Sequence, residues 1–291
     1  MRRGYIWLLV VLTASTVVGH PATPDYRETG RLARGSVRFQ LYRDYLIIVQ
    51  GSIGPLSGLN FLLDTGSNTT VLSPQLARKL QLEATPTDVA VLGGSVSSRI
   101  ATAPSLQFGP IQRDNVPVLI QDLSFLQDAL PVRIDAIVGL DMLGQSTFVI
   151  DYVSHEVQFG PASMPDSIPL HIRNGLAFVD ADINHTTVHL LVDSAAPSLI
   201  VFEQSPGIQT DPKVAASQPS PGKIGNFQRN HVRQLSLTLG QVDFGQESVF
   251  VVPNIRDAGH DFDGMMSPVA LGFTRVAVDL NQRTLTFSRQ P

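Results

Sequence analysis

The sequence predicts an all-β protein built from two similar halves. Short apolar or alternating runs bounded by Gly, Pro, Asn and Asp occur along the chain, 23 glycines and 20 prolines provide frequent turns, and the second half repeats the first. With 291 residues, 43% hydrophobic and 16% charged, the chain can bury a full core. We therefore expect mainly strands, with few short helices.

The repeat consists of three blocks that occur in the same order in each half. IDAIVGLDMLGQSTFVIDYVSHEVQFG at 134–160 aligns without gaps with FDGMMSPVALGFTRVAVDLNQRTLTFS at 262–288, an offset of 128 (262 − 134). SLQFGPI at 105–111 matches SLTLGQV at 236–242, and LNFLLDTGSNTTVLS at 59–73 matches VHLLVDSAAPSLIVF at 188–202. Chance similarity between two β-rich segments does not explain three matches in one order and nearly one register.

The repeat divides the chain into two lobes. The first lobe is predicted at 35–160 and the second at 168–291, with a Pro/Ser-containing linker at 161–167 and a polar lead-in at 20–34. In the first lobe SPQLARKLQLE predicts a helix, because Ser73 is a suitable cap and a proline occupies its first turn. The second lobe has no equivalent helix pattern.

The amino terminus predicts a secretory signal at 1–19. Arg2 and Arg3 precede an apolar run at 5–18 that ends in small residues. The run is short for a membrane span, so we expect cleavage near Gly19, export to a periplasm or the cell exterior, and no membrane contact afterwards. The sequence has no cysteine, which excludes disulfides, thiolate metal sites and a cysteine nucleophile.

An aspartate ends an apolar run in each half. Asp64 lies in FLLDTGSNTT, and Asp193 in VHLLVDSAA, 129 residues later (193 − 64). Asp-Thr-Gly by itself is ordinary turn chemistry. The apolar strand before it, the glycine of AIVGL 75 residues on (139 − 64) and the second Asp indicate instead two carboxylates that meet between the lobes.

These motifs resemble those of the retropepsin-like and pepsin-like aspartic peptidases, strongly in the first lobe and weakly in the second. The resemblance implies two retropepsin-like β-barrel lobes in one chain. It also implies a catalytic pair, Asp64 and Asp193, that shares one proton and activates a water for peptide-bond hydrolysis. The expected substrate is a peptide or an unfolded protein. We expect a monomer without metal or cofactor.

The resemblance also assigns the residues beside the pair. Thr65 and Ser194 supply hydroxyls that cross the lobe interface. Gly66 gives backbone N–H groups room to approach a carboxylate. The hydroxyl of Ser67 is expected to bind the outer oxygen of Asp64 and help to keep it ionised.

A mobile hairpin, or flap, is expected at 89–101, VAVLGGSVSSRIA, with Gly93 and Gly94 at its tip. It lacks the tyrosine of pepsin flaps and resembles the retroviral kind. A second flap is expected at 223–233, KIGNFQRNHVR.

The second lobe departs from the family pattern. Ala195 stands where the family has glycine, and Ser267 stands at the position of Gly139. A methyl group at 195 is costly if that backbone needs positive φ or a close approach. Two hypotheses follow: an aspartic endopeptidase, and a catalytically impaired pseudo-protease that binds peptide or a protein partner. Pairing of first lobes between two chains, as in retroviral enzymes, is unnecessary when a second lobe is attached.

Other functional classes receive little support from the sequence. A net charge of −4 and a pI of about 5.9 do not suggest a nucleic-acid-binding surface. His185 and His189 have a metal-like spacing, but on a strand their Cα atoms would lie roughly 13 Å apart. No zinc motif, phosphate loop or nucleophile elbow occurs.

Overall fold

The structure is a computed structural model that describes residues 12–13, 33–91, 94–127, 130–208, 232–252 and 262–289. Strands dominate these residues, as predicted. The strands of the first half are β1 (Leu12–Thr13), β2 (Gly35–Tyr42), β3 (Leu46–Ile53), β4 (Leu56–Leu63), β5 (Thr70–Leu72), β6 (Ala84–Val91), β7 (Gly94–Phe108), β8 (Ile111–Ile120), β9 (Ala136–Val138), β10 (Phe148–Asp151) and β11 (Glu156–Phe159).

The second half is also built of strands. They are β12 (Asp166–Pro169), β13 (His171–Arg173), β14 (Leu176–Ile183), β15 (Thr186–Val192), β16 (Leu199–Phe202), β17 (Val232–Leu239), β18 (Val242–Val252), β19 (Gly264–Met266), β20 (Phe273–Asp279) and β21 (Thr284–Arg289). Strand β12 begins at Asp166, inside the segment predicted as a linker.

Both lobes are closed barrels with the same strand order. In the first lobe the hydrogen-bonded order is β7-β8-β5-β9-β4-β3, and a β3–β7 pairing closes it. In the second the order is β17-β18-β16-β19-β15-β14, closed by β14–β17. In each barrel the strand that ends before the aspartate, β4 or β15, runs parallel to the short strand β9 or β19. The prediction of an all-β fold with two β-barrel lobes is confirmed.

A shared sheet joins the lobes. Strands β2, β11 and β10 of the first lobe continue into β20, β21 and β12. One hydrophobic cluster extends through both lobes and this sheet, and it includes the stacked rings of Phe273 and Phe287, whose centroids lie 4.3 Å apart. Each large apolar side chain stabilises the fold by about 1.5–3 kcal/mol when fully buried. Because this one cluster contains side chains of both lobes, the lobes share much of their stability.

Two short α-helices and one 3-10 turn (Ser124–Leu126) occur in the described residues. Helix α1 (Pro74–Lys79) is the predicted one: the Ser73 hydroxyl accepts a hydrogen bond from the Leu76 N–H (3.2 Å), and Leu76 and Ala77 are buried. Helix α2 (Leu140–Leu143) was not predicted, because a four-residue helix presents no amphipathic stripe. It begins directly after Gly139.

Strands β6 and β7 form a long antiparallel hairpin where the flap was expected. Gly94 begins β7 and pairs with Val91, whereas Gly93 lies outside the described residues. Most of the predicted signal, most of the lead-in and residues 223–231 of the expected second flap also lie outside them. Leu12–Thr13, from the predicted signal, pairs with the end of β6. No helix in the described part of the chain is long and apolar enough to cross a membrane.

Candidate active site

Asp64 follows β4 directly, and the barrel fixes its position. Its backbone N–H donates to the carbonyl of Val138 (3.0 Å) on the parallel strand β9. Its carboxyl Oδ1 accepts a hydrogen bond from the Gly66 N–H (2.8 Å). The side chain is fully buried, so its orientation is determined by the turn and not by solvent.

Asp193 has the same arrangement in the second lobe. It follows β15, its N–H donates to the carbonyl of Met266 (3.0 Å) on β19, and its Oδ1 accepts from the Ala195 N–H (2.8 Å). It is also fully buried. The two turns therefore hold their carboxyls by the same pair of contacts, although one contains Gly-Ser and the other Ala-Ala.

The two carboxyls meet at the lobe boundary. Gly66 packs so closely against the facing turn that a Cβ placed on it would lie 2.7 Å from Cγ and 2.8 Å from Oδ2 of Asp193. Among the described residues, Oδ2 of Asp64 and Oδ2 of Asp193 are buried and have no hydrogen-bond donor. Each carboxyl therefore has one oxygen bound by a backbone N–H and one buried oxygen without a donor, and the two side chains interact directly with each other.

Burial raises the pKa of both carboxyls. Desolvation is the main cause of the upward pKa shift of Asp64, and the charge of Asp193 adds to it. Desolvation also raises the pKa of Asp193, to about 7, while N–H groups of the turn oppose the shift. Over the acidic range the pair thus retains a proton that two isolated aspartates would lose.

Hydroxyls lock the two turns together. The Thr65 hydroxyl donates to the carbonyl of Val192 (2.8 Å) and accepts from the Ser194 N–H (2.9 Å). The Ser194 hydroxyl donates to the carbonyl of Leu63 (3.3 Å) and accepts from the Thr65 N–H (3.1 Å). All four bonds cross the lobe boundary.

Comparisons with known proteins agree with this geometry. Residues 49–142, which contain the Asp64 turn and Gly139, match a family model described as aspartyl protease. The chain therefore has an aspartic peptidase-like fold, and its first lobe also resembles that family in sequence. No curated protein matches its sequence. The crystal structure of basic 7S globulin from soybean superposes with a TM-score of 0.51 and 14% identity, covering 89% of this chain and 95% of that one, which shows the fold alone.

In this aspartic peptidase-like protein Ser67 does not bind the outer oxygen of Asp64, so that expectation was wrong. Its hydroxyl donates to the carbonyl of Thr69 (2.7 Å) and accepts from the Thr69 N–H (3.4 Å). Ala196 occupies the corresponding place in the second lobe and has no hydroxyl. In the described structure, backbone N–H groups of the turns are therefore the hydrogen-bond donors that hold both carboxyls.

The departures in the second lobe fit without backbone strain. Neither Ala195 nor Ser267 has a positive φ. Ser267 is buried, and its hydroxyl accepts from the Ala270 N–H (3.4 Å) at the start of a turn. In the first lobe a Cβ on Gly139 would meet the carbonyl oxygen of Ser67 at 2.6 Å. The first lobe thus needs its glycine, whereas the second accommodates a side chain.

The sequence reasoning assigned no role to Asp141. Its carboxyl accepts from both the N–H and the hydroxyl of Thr70 (3.0 Å each), which ties α2 to the start of β5. Burial raises the pKa of Asp141 to about 6. One sequence feature could have indicated a structural role for Asp141. It is an acidic residue just after Gly139, in the first turn of α2, where a negative charge is favourable.

Each lobe also has an aspartate behind the site, buried in the case of Asp135 and partly buried in the case of Asp263. Asp135 accepts from the Asn60 N–H (3.0 Å) and from Nη2 of Arg133 (2.7 Å). The equivalent Asp263 accepts from the His189 N–H (2.8 Å). These bonds attach the short strands β9 and β19 to the strands that carry the catalytic candidates.

The histidines of strands β13 to β15 and of the turn between β14 and β15 do not form a metal site. The ring of His189 contacts Asp180 through Nδ1 (2.6 Å), and His171 reaches the other oxygen of Asp180 (3.0 Å), whereas His185 lies in the turn before β15. Within the described ranges, no three His, Asp or Glu side chains are arranged to hold a metal ion.

Proposed function

We propose that the protein is an aspartic endopeptidase that hydrolyses peptide bonds through Asp64 and Asp193. The observation that carries this proposal is the pair of buried carboxyls whose Oδ2 oxygens lack donors at the lobe boundary. The hydroxyl lock of Thr65 and Ser194 supports it, because general acid–base catalysis needs two groups held in fixed relative positions.

The chemistry follows from the shared proton. The ionised carboxyl takes a proton from a bound water while the water oxygen forms a bond to the peptide carbonyl carbon. The protonated carboxyl donates to the carbonyl oxygen, so a neutral tetrahedral diol forms. Proton transfer to the amide nitrogen and cleavage of the C–N bond then release a carboxylic acid and an amine, and the pair returns to one proton.

The proposal extends to substrate, assembly and location. Val89 of the β6–β7 hairpin belongs to the same buried apolar cluster as Ala195 of the active-site turn, which links the hairpin to the site, and we propose peptides and unfolded proteins as substrates. One chain supplies both aspartates, so a monomer suffices. The amino-terminal sequence leads us to propose export.

Binding without cleavage is the second candidate, and one observation favours it. Ala195 adds a buried methyl group to a turn in which the first lobe has glycine. A site altered in this way would still bind an extended peptide if its carboxyls no longer activated water.

The test compares cleavage and binding in the same proteins. The exported chain would be incubated with a denatured, fluorescently labelled protein from pH 3 to 8, alongside the Asp64→Asn and Asp193→Asn variants. We expect each variant to lose at least ~10²–10⁴-fold in rate with its fold intact. Asp182→Asn, an exposed β14 residue, is the matched control and should retain activity.

Each outcome separates the candidates. Cleavage that persists in either active-site variant would reject the shared pair. If the unaltered protein cleaves nothing but binds pepstatin, and both variants lose that binding, the protein binds peptides without cutting them.

A further inference from the structure

A turn of the second lobe contacts the chain directly after the Asp64 turn. The connection from β13 to β14 consists of Asn174 and Gly175, both with positive φ (50° and 76°), and Asn-Gly is the sequence best suited to a two-residue turn of this kind. The side-chain Nδ2 of Asn68 donates to the carbonyl of Asn174 (2.7 Å). Because Asn68 follows Ser67 directly, the β13–β14 turn holds the end of the Asp64 turn.

The second active-site turn cannot make the same bond. In the aligned halves Pro197 occupies the place of Asn68, and proline has neither a side-chain donor nor a backbone N–H. The lock of Thr65 and Ser194 acts on both turns, whereas the Asn68 bond adds a restraint to the Asp64 turn. Loosening this bond would therefore shift one carboxyl relative to the other.

Strand β13 is weakly attached to its own lobe through its backbone. It is a three-residue edge strand that pairs only with β14 in the described sheet. Ile172 is half-buried against the core, and its neighbours His171 and Arg173 are exposed. Short edge elements of this kind open at little cost, so side-chain bonds that fasten β13 also influence the turn at its end.

Two histidines fasten β13 to the neighbouring strands through one carboxylate. Asp180 on β14 contacts Nε2 of His171 on β13 (3.0 Å) with one oxygen and Nδ1 of His189 on β15 (2.6 Å) with the other. Burial acts to raise the pKa of Asp180, but the hydrogen bonds and charges of the two imidazoles lower it overall, so the carboxylate stays ionised. Imidazole is the side chain whose charge changes between pH 5 and 8. Acid therefore turns these contacts into hydrogen bonds between opposite charges that span three strands.

The equivalent place in the first lobe does not titrate. Gln50 and Asn60 are cross-strand partners there, as Asp180 and His189 are in the second lobe. The amide of Gln50 donates to the amide oxygen of Asn60, and neither group changes charge with pH. The repeat thus contains a neutral pair in one lobe and a titratable one in the other.

We propose that β13 and its turn form an acid-tightened strap between the lobes, with Asn68 as the positioning residue on which the strap acts. Protonation of the two imidazoles fastens β13 to Asp180, and Asn174 then holds the end of the Asp64 turn more firmly. The consequence for catalysis rests on the proposed function, whereas the strap itself does not.

Other charged groups near the cluster leave the direction of this effect unchanged. Asp182 on β14 and Asp263 beside β15 are carboxylates, so both favour protonated imidazoles, as Asp180 does. Arg173 lies at the other end of β13, and arginine is charged throughout this range. Strand β17 places the uncharged Thr238 beside β14.

The experiment measures hydrogen exchange at the two ends of the strap. Exchange would be followed by NMR at the Asn68 side-chain amide and at the backbone N–H groups of β13, from pH 8 to 5, and corrected for intrinsic exchange. Because the three side chains of the cluster are 42–45% exposed, water screens their charges, and we expect protection to rise only about 2–5-fold toward pH 5.

A double variant isolates the cluster from the active-site pair. Asp180→Gln with His189→Asn reproduces the neutral pair of the first lobe and should abolish the rise in protection. The aspartates of the active site are unaltered in this variant, so their titration contributes equally to both proteins. His185→Gln removes the imidazole of the β14–β15 turn and, as the matched control, should keep the rise. No rise in the unaltered protein, or a rise that survives in the double variant, would overturn the proposal.

Cleavage assays test the positioning role of Asn68. Asn68→Ala and the double variant should each lose about 2–5-fold in rate at pH 5 and little at pH 8, where the strap is loose in every protein. An equal loss at both pH values would show that Asn68 has only a structural role and would overturn its assignment. If protection behaves as expected and the protein cleaves nothing, the proposed function fails and the strap stands.

Discussion

Thr65 and Ser194 hold each other across the lobe boundary, since the hydroxyl of each accepts a hydrogen bond from the backbone N–H of the other. Each hydroxyl also donates to a carbonyl of the facing strand, at Val192 and Leu63 respectively. Both side chains are buried, so water does not compete for these bonds. This lock fixes the distance between the turns on which the catalytic candidates lie.

Removing the Thr65 hydroxyl should weaken the joint between the lobes. Thr65→Val keeps the side-chain shape but leaves the Ser194 N–H and the Val192 carbonyl without a partner. We expect a loss of about 1–3 kcal/mol in the free energy of unfolding, measured by urea denaturation. Thr187→Val, which removes an exposed hydroxyl bonded to Asp182, should cost far less. Equal losses in the two variants would argue against the lock.

Gly66→Ala should be damaging although alanine is the residue at the equivalent position of the second lobe. The new methyl group would lie 2.7 Å from Cγ of Asp193, so the turns must separate. We expect a cost of about 1–3 kcal/mol in unfolding free energy and loss of the proposed peptidase activity. Gly58→Ala provides the control, because a Cβ there meets nothing within 4 Å. The only cost expected there is the backbone strain of alanine at a positive φ of 68°, about 1 kcal/mol. Full activity in Gly66→Ala would contradict the close approach of the two turns.

The paired carboxyls should make the protein less stable as pH rises. In the unfolded chain the aspartates lose their protons near their ordinary pKa, whereas the folded pair keeps them until the raised pKa, about 7 for Asp193. The contribution of the pair to the free energy of unfolding is therefore fully present below the unfolded pKa and is lost as pH rises toward 7. The loss is about 1.4 kcal/mol per pH unit for each proton kept only in the folded state. Urea denaturation at several pH values would measure this slope.

Asp193→Asn should flatten that dependence, because it removes one carboxyl and the repulsion on the other. Asp141 contributes in the same direction, since burial raises its pKa to about 6. Asp141→Asn should remove only this contribution and keep the decrease in unfolding free energy that the pair causes. A slope that Asp193→Asn leaves unaltered would show that the pair does not hold an additional proton.

The two aspartates behind the site, Asp135 and Asp263, should differ in importance. Asp135→Ala leaves both the Asn60 N–H and the Arg133 guanidinium without a partner, whereas Asp263→Ala removes the acceptor for the His189 N–H. We expect about 1.5–3 kcal/mol for Asp135→Ala, because hydrogen bonds to charged groups contribute more, and a smaller loss for Asp263→Ala. Thermal unfolding of the two variants would measure the difference, and the opposite order would refute this account.

The barrels and the meeting of Asp64 with Asp193 were expected because the motifs of the two halves resemble those of the aspartic peptidases, whose two active-site turns face each other. An apolar strand followed by an Asp-hydroxyl turn occurs in each half, and equivalent strands place the turns symmetrically. The cap at Ser73 was predictable from the local sequence, since it needs contacts only within a few residues.

Contacts that depend on a choice between partners were not predictable. The Ser67 hydroxyl has the Thr69 carbonyl within reach as well as Asp64, and the sequence does not rank the two. The bond from Asp141 to Thr70 joins residues far apart in sequence, and it has no equivalent in the second lobe, where Val269 replaces the acid. No local pattern shows that β20 pairs with β10 of the other lobe.

That pairing has a consequence for the halves as separate polypeptides. If the chain were divided after residue 160, Phe148–Asp151 would lose its neighbour along one edge, and Phe273–Asp279 would lose the corresponding neighbour in the other fragment. Exposed strand edges of this kind invite association with any available strand. The fragments would therefore be driven to recombine or to aggregate, and although it consists of two barrels, the protein is expected to fold as one cooperative unit.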